Sequence, residues 1–224
     1  MKHLIAQLGL GLLFGCGEEV SNLAKPPKAV PASRHLRHEV EGDTITITGC
    51  HKKASGSLII PRTIEGKSVA KIQRLAFSDC IRLTKVTIPD SLTSIGEGAF
   101  QGCRSLKSIT IPDGVTSIGA YTFRSCTNLT SITIGNGVTS IGKNAFEQCS
   151  GLTSITIPDS VTSIEEEAFF TCRGLITVTF LGDVPKIEDN AFEKSSPASY
   201  RKPDAKGWGD TLAGRPVKLI TEKP

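Results

Sequence analysis

Residues Ser117 to Thr139 read SIGAYTFRSCTNLTSITIGNGVT, and the same phrase recurs on both sides of that stretch. Its cysteine, Cys126, has counterparts at Cys80, Cys103, Cys149 and Cys172, each 23 residues from the next without a slip. A fixed period between about 20 and 50 residues marks a repeat architecture and overrides residue-by-residue propensity. Stacking the copies aligns the apolar residues in columns. One is Ile72, Ile95, Ile118, Ile141, Ile164 and Ile187; a second is Phe77, Phe100, Phe123, Phe146, Phe169 and Phe192. A third runs from Leu83 through Leu106, Leu129 and Leu152 to Leu175. Ala76, Ala99, Ala145, Ala168 and Ala191 form a small-residue column broken by Thr122. A 23-residue unit encloses no core alone. It does so when each copy is one coil of a solenoid and every column stacks on its neighbour.

Within a copy, Ile132-Thr133-Ile134 alternates with period two, which places the isoleucines inside a strand and the threonine outside. Pro89, Pro112 and Pro158 lack an N–H and stop that strand at the same place each time. Val138 to Ile141 reads as a second short strand on the opposite side. Spacings of four, five and eight from Ile141 to Ala145, Phe146 and Cys149 predict a short helix or 3-10 turn. The predicted fold is a β-rich solenoid whose 23-residue coils carry short parallel strands and short helical turns.

The frame Leu129-x-x-Ile132-x-Ile134, joined to Ile-Gly-x-x-Ala-Phe-x-x-Cys, closely resembles the BspA-type leucine-rich repeat of bacterial surface proteins, over about residues 58 to 195. The resemblance implies leucine-rich-repeat coils, a place at the cell surface, and adhesion or host and matrix contacts. Three departures are local: Gly135 stands for proline, Thr122 for alanine and Glu165 for glycine.

Cysteine is small, apolar and often buried, so its column reads as a core spacer. A straight column gives no tetrahedral cluster for zinc. Coils about 5 Å apart bring neighbouring cysteines within disulfide reach. Side chains pointing the same way oppose pairing, and free buried thiols are expected. Cys50, outside the register, has no evident partner.

With 224 residues, 38% of them hydrophobic and 5% aromatic, the chain can form one modest domain. Its net charge of +4 resides in the ends: residues 69–193 carry 10 Lys and Arg against 13 Asp and Glu, residues 194–224 carry 7 against 3. A nucleic-acid-binding stripe along the solenoid is not supported.

Lys2 followed by the apolar run Leu4 to Phe14 is too short to span a bilayer and suits the core of a secretory signal. Leu13-Phe14-Gly15-Cys16 looks like a bacterial lipobox, which implies cleavage before Cys16, lipidation of its thiol and a membrane anchor. An ordinary signal peptide and an unprocessed start are the alternatives. The expected organisation is a signal peptide at 1–15, the lipidated cysteine and a Pro-rich tether at 16–38, and an N-terminal cap with the first coil at 39–68. The repeats follow at 69–195 and a C-terminal cap at 196–224. Ile60-Pro61 lies 28 residues before Ile88-Pro89, so the first coil holds five extra residues, placed in Ile64 to Ser68. Trp208 is read as closing the last coil, an aromatic platform for a sugar or peptide being the alternative.

The sequence holds no G-x-S-x-G, no H-E-x-x-H and no histidine in the repeats to serve their serines as a base, so no catalytic residue is assigned. Gly137 to Asn144 imitates the start of a phosphate loop, lacks its final Ser/Thr and recurs as ordinary repeat sequence. His35 and His38 lack a third metal ligand, and no cofactor is implied. What the repeats do offer is a surface. Lys85 and Thr87, Ser108 and Thr110, Ser131 and Thr133, Ser154 and Thr156, and Thr177 and Thr179 form a ladder of outward strand residues on one face. Hydroxyls donate and accept, so this face is expected to bind a protein or glycan at the cell surface. Threonine is also simply a good exposed strand residue, and a structural or self-assembling envelope protein without a dedicated ligand is the alternative.

Overall fold

The computed structural model describes residues 34–212 and 214–222. The apolar leader, Cys16 and the tether up to residue 33 lie outside them. The chain starts with β1 (Leu36–Glu41), β2 (Thr44–Cys50), β3 (Gly56–Ile59), β4 (Thr63–Ile64) and β5 (Lys67–Ile72). It continues with β6 (Leu83–Thr87), β7 (Ser94–Ile95), β8 (Ser108–Thr110), β9 (Ser117–Ile118), β10 (Ser131–Thr133) and β11 (Ser140–Ile141). Then come β12 (Ser154–Ile157), β13 (Ser163–Ile164), β14 (Thr177–Phe180) and β15 (Lys186–Ile187). The last strands are β16 (Ala198–Arg201), β17 (Thr211–Leu212) and β18 (Arg215–Leu219), followed by a 3-10 turn at Ile220–Glu222.

From β6 to β15 the strands alternate between two faces of one solenoid. The longer strands run parallel as β3-β6-β8-β10 and then β12-β14-β16-β18. The two-residue strands run parallel as β9-β11-β13-β15, and β7 lies parallel to β5. Register follows the repeat: Ile132 lies opposite Ile109, and Ile141 lies between Ile118 and Ile164. Those isoleucines are buried and their serine and threonine neighbours face outward or are half-buried, as the period-two alternation requires.

The phenylalanine column is the spine of the core. Six rings from Phe77 to Phe192 stack in series, with centroids 4.9 to 5.5 Å apart and planes within 16° of parallel. That separation matches the spacing of stacked strands of about 4.8 Å, so one ring per coil fills the column in an offset stack.

The segment after each short strand differs from the expected helix. It is a run of overlapping turns in which alternate N–H groups have different destinations. Ala76, Ser78 and Cys80 donate to carbonyls three residues back, whereas Leu75, Phe77 and Asp79 donate to Glu97, Ala99 and Gln101 in the next coil. Gly98, Phe100 and Gly102 repeat this toward Ala120, Thr122 and Arg124. A helix would spend every N–H within its own segment; here half of them run along the solenoid axis as a third ladder. Left-handed backbone makes this geometry, at Leu75 (φ 58°) and Asp79 (φ 53°) and again at Tyr121, Ser125, Asn144, Gln148, Glu167 and Thr171. In one coil the same places are taken by Gly98 and Gly102, for which such φ values carry no steric cost.

Each departure from the repeat has a physical reason. At Gly135 a Cβ would lie 2.6 Å from the Pro112 carbonyl carbon, so the coils approach too closely for a side chain. Thr122, fully buried in the alanine column, donates its hydroxyl to the Gly119 carbonyl at 2.8 Å and leaves nothing unpaired. Glu165 turns its carboxylate back along the stack to accept the Lys143 N–H at 3.0 Å.

At the N-terminus β1 pairs antiparallel with β2 and begins at Leu36, earlier than the alternation in the sequence suggested. Leu36 is its one buried residue; the charged positions Arg37, Glu39 and Glu41 are exposed and blunt the edge. The five extra residues form a hairpin, β4 folding onto β5 through Glu65 (φ 51°) and Gly66 (φ 77°). At the other end Trp208 packs 4.7 Å from Phe180 at 57°, its indole N–H donating to the Gly182 carbonyl at 3.4 Å.

Candidate binding face

The longer strands carry two outward rows. One is Ser57, Lys85, Ser108 and Ser131, continued by Ser154, Thr177 and Ala198; the other is Ile59 and Thr87, then Thr110 and Thr133, then Thr156, Thr179 and Tyr200. Lys85, Thr87, Thr110, Ser131, Thr133, Ser154 and Thr156 are exposed, and Ser108 and Thr177 half-buried. Thr179 departs from the expected face. It is 7% exposed, beside the buried Tyr200 of β16, whose strand continues the sheet beyond the last repeat. Ser57 and Ile59 were missed because the first coil is out of the 23-residue register; Ile59, 60% exposed, is an apolar residue at the head of the threonine row.

Hydroxyls elsewhere in the repeats are structural. Thr93, Thr130, Thr139 and Thr162 each donate to a carbonyl one coil back, at 3.1 to 3.2 Å. Ser91 and Ser160 do the same at 2.8 and 2.7 Å. The hydroxyls on the exposed strand face make no such bond within the described residues. The fold therefore divides its serines and threonines into a set that ties coils together and a set left free for solvent or a ligand.

The cysteines are tied inward. Cys103, Cys126, Cys149 and Cys172 donate to the carbonyls of Phe77, Phe100, Phe123 and Phe146 at 2.9 to 3.2 Å. Ser195, where the column changes residue, gives the same bond to Phe169 at 2.7 Å. They are more than spacers: each supplies a donor to the coil before it. All six described cysteines are unpaired and buried. Burial is the main cause that pushes the Cys126 and Cys172 thiols up to about 12. Cys50 does have a neighbour, since its thiol is hydrogen-bonded to that of Cys80.

On the turn side, charges pair between coils. Arg124 meets the buried Glu147 at 2.8 Å, and Lys143 meets Glu166 at 2.5 Å. The Lys143 ammonium holds the Glu166 carboxyl below its ordinary range, and Glu166 in turn raises Lys143. A groove of 490 Å³ between Asp159, Asp183, Lys202 and Asp204 contains no histidine or cysteine. Among the described residues no three His, Cys, Asp or Glu are arranged to hold a metal. None of their helices is long and apolar enough to cross a membrane.

A stack of like coils presenting a surface is the build of a repeat protein, and the comparisons say which kind. The sequence profile of the BspA type leucine rich repeat region matches residues 70–198 in six copies, and the chain belongs to that family. Among solved structures, the T. pallidum leucine-rich repeat protein is 25% identical over 84% of this chain and 84% of its own, with a TM-score of 0.68. A leucine-rich repeat protein from Bacteroides ovatus is 23% identical, covering 83% of this chain and 66% of its own, at 0.60. One from Eubacterium ventriosum is 22% identical, covering 79% and 54%, at 0.58. A search of curated proteins gives no match.

Proposed function

We propose that this is an exported protein, held at the bacterial envelope by a lipid on Cys16, that binds a protein or glycan through its exposed strand face without catalysis. The observation that carries the reading is the free set of hydroxyls at Thr87, Ser108, Thr110, Ser131, Thr133, Ser154, Thr156 and Thr177 beside Lys85. Regularly spaced groups that both donate and accept suit a polar partner surface. Membership of a repeat family supports a binding role. The apolar leader and Leu13-Phe14-Gly15-Cys16 support export and anchoring.

The test replaces Thr110, Thr133 and Thr156 by valine, which keeps shape and strand propensity and removes the hydroxyls. Capture of a partner from native surroundings should fall while the circular dichroism spectrum holds. Undiminished capture removes the strand face from the account. The mass of the membrane-fraction protein reads the anchor separately: an unmodified, soluble product contradicts acylation of Cys16. One observation favours self-assembly as a second reading. The outer edge of β3 pairs with no strand among the described residues and carries exposed Ile59. Concentration-dependent light scattering separates the two readings.

A further inference from the structure

We infer that Cys50 and Cys80 are a cross-linking site, closing to a disulfide that fastens the N-terminal cap to the first repeat coil when the chain meets a thiol–disulfide oxidant. The inference goes beyond the binding role and stands whether or not Cys16 is acylated.

Four cysteines of the column have a phenylalanine carbonyl one coil back to receive their S–H. Cys80 is the first of the column, and the residue 26 places before it, where the others find phenylalanine, is Ala54. Its thiol meets the thiol of Cys50 instead, and the two are hydrogen-bonded. Backbone contacts hold them together: the Cys50 N–H donates to the Ala76 carbonyl at 2.7 Å, and the Lys52 ammonium reaches the Ser78 carbonyl. Cys50 stands at the end of β2, whereas Cys80 stands on the stacked turns. The two side chains thus come from different backbone elements, unlike column neighbours that point the same way.

Both sulfurs are shielded, at 1% and 0% exposure, but Cys50 borders a cavity of 280 Å³ that Arg34, His35, Arg37, His51 and Lys52 also line. Cationic walls favour a thiolate and an approaching disulfide. Accepting the bond from Cys50 lowers the Cys80 thiol below its ordinary range, with help from Lys52 and against burial. Giving that bond, and then burial, raise Cys50. The chemistry is exchange with a small-molecule or protein disulfide. Cys50 attacks the oxidant's S–S bond and expels one thiol, and the Cys80 thiolate then displaces the second from the mixed disulfide. Two S–H bonds and one S–S bond break, one S–S and two S–H bonds form, and the oxidant is reduced.

The test equilibrates the reduced full chain with oxidised glutathione under native conditions, quenches with acid, alkylates and digests with trypsin. Residues 38–52 and 75–82 are tryptic peptides with one cysteine each. Their linked mass, two hydrogens below the sum of the peptides, is expected as the dominant product. Cys103, Cys126, Cys149 and Cys172 should alkylate only after unfolding. The urea midpoint should rise on oxidation in the parent and stay put in Cys50→Ser and Cys80→Ser. Cys50 and Cys80 left unlinked at equilibrium, or a link between column cysteines in their place, overturns the inference. The peptide map is read on the parent chain, so it decides the matter even if a serine variant misfolds.

Discussion

Replacing Phe123 by alanine takes out a middle ring of the six-ring stack. Phe123 is fully buried and lies 5.5 Å from Phe100 and 5.4 Å from Phe146, at 6° and 14°. Deleting a buried phenylalanine costs about 4 kcal/mol, from lost burial and the cavity left behind. Phe192 ends the stack, 4.9 Å from Phe169, with no further ring beyond it in the column. Stability in a solenoid is close to a sum over neighbouring coils, so Phe192→Ala is expected to cost less by one stacking contact, about 1 kcal/mol. Urea unfolding followed by circular dichroism measures both variants against the parent. A loss at Phe192 equal to or above that at Phe123 would refute the argument, as would a loss below about 2 kcal/mol at Phe123.

Three further outcomes follow from particular residues. Thr171, β-branched and held at φ 57°, should gain about 1 kcal/mol on replacement by glycine, read as a higher urea midpoint; no gain would mean the turn does not need left-handed backbone there. Ser199 lies opposite Val178 with its hydroxyl buried and unpartnered, so Ser199→Val should add about 1 kcal/mol to the unfolding free energy. The Cys126 and Cys172 thiols are raised to about 12 in the fold, against about 8.5 when unfolded. Above that lower value the unfolded chain loses protons the fold keeps, so stability is full below it and falls as pH rises through this window. The slope is about 1.4 kcal/mol per pH unit for each thiol. Cys172→Ser, which imitates the Ser195 bond, should make the decline shallower between pH 9 and pH 11, and an unchanged slope would count against the buried-thiol account.

Most of the solenoid could be read from the sequence because its signal is periodic. Columns separated by a constant 23 residues had to stack, and Ile132-Thr133-Ile134 told inside from outside. The turn side was less legible. Spacings of four, five and eight suit a helix, and only Gly98, Gly102 and Asn144 hinted that left-handed backbone interrupts it. Features outside the 23-residue register were hidden for the same reason that the repeats were plain. Cys50 and Cys80 are 30 residues apart, Ser57 and Ile59 precede the hairpin insertion, and Tyr200 belongs to a strand whose sequence has left the pattern. The hydroxyl ladder was visible as residues. That neighbouring threonines are consumed in bonds between coils while the ladder is free could be learned only from the structure.

The strand face is tested most directly by site-specific photocrosslinking of the captured partner. A photoreactive amino acid is placed at Thr133, in the middle of the threonine row, and separately at Glu97, exposed on the turn side. The account expects the partner to crosslink from position 133 and not from position 97. Crosslinking from 97 alone would contradict it.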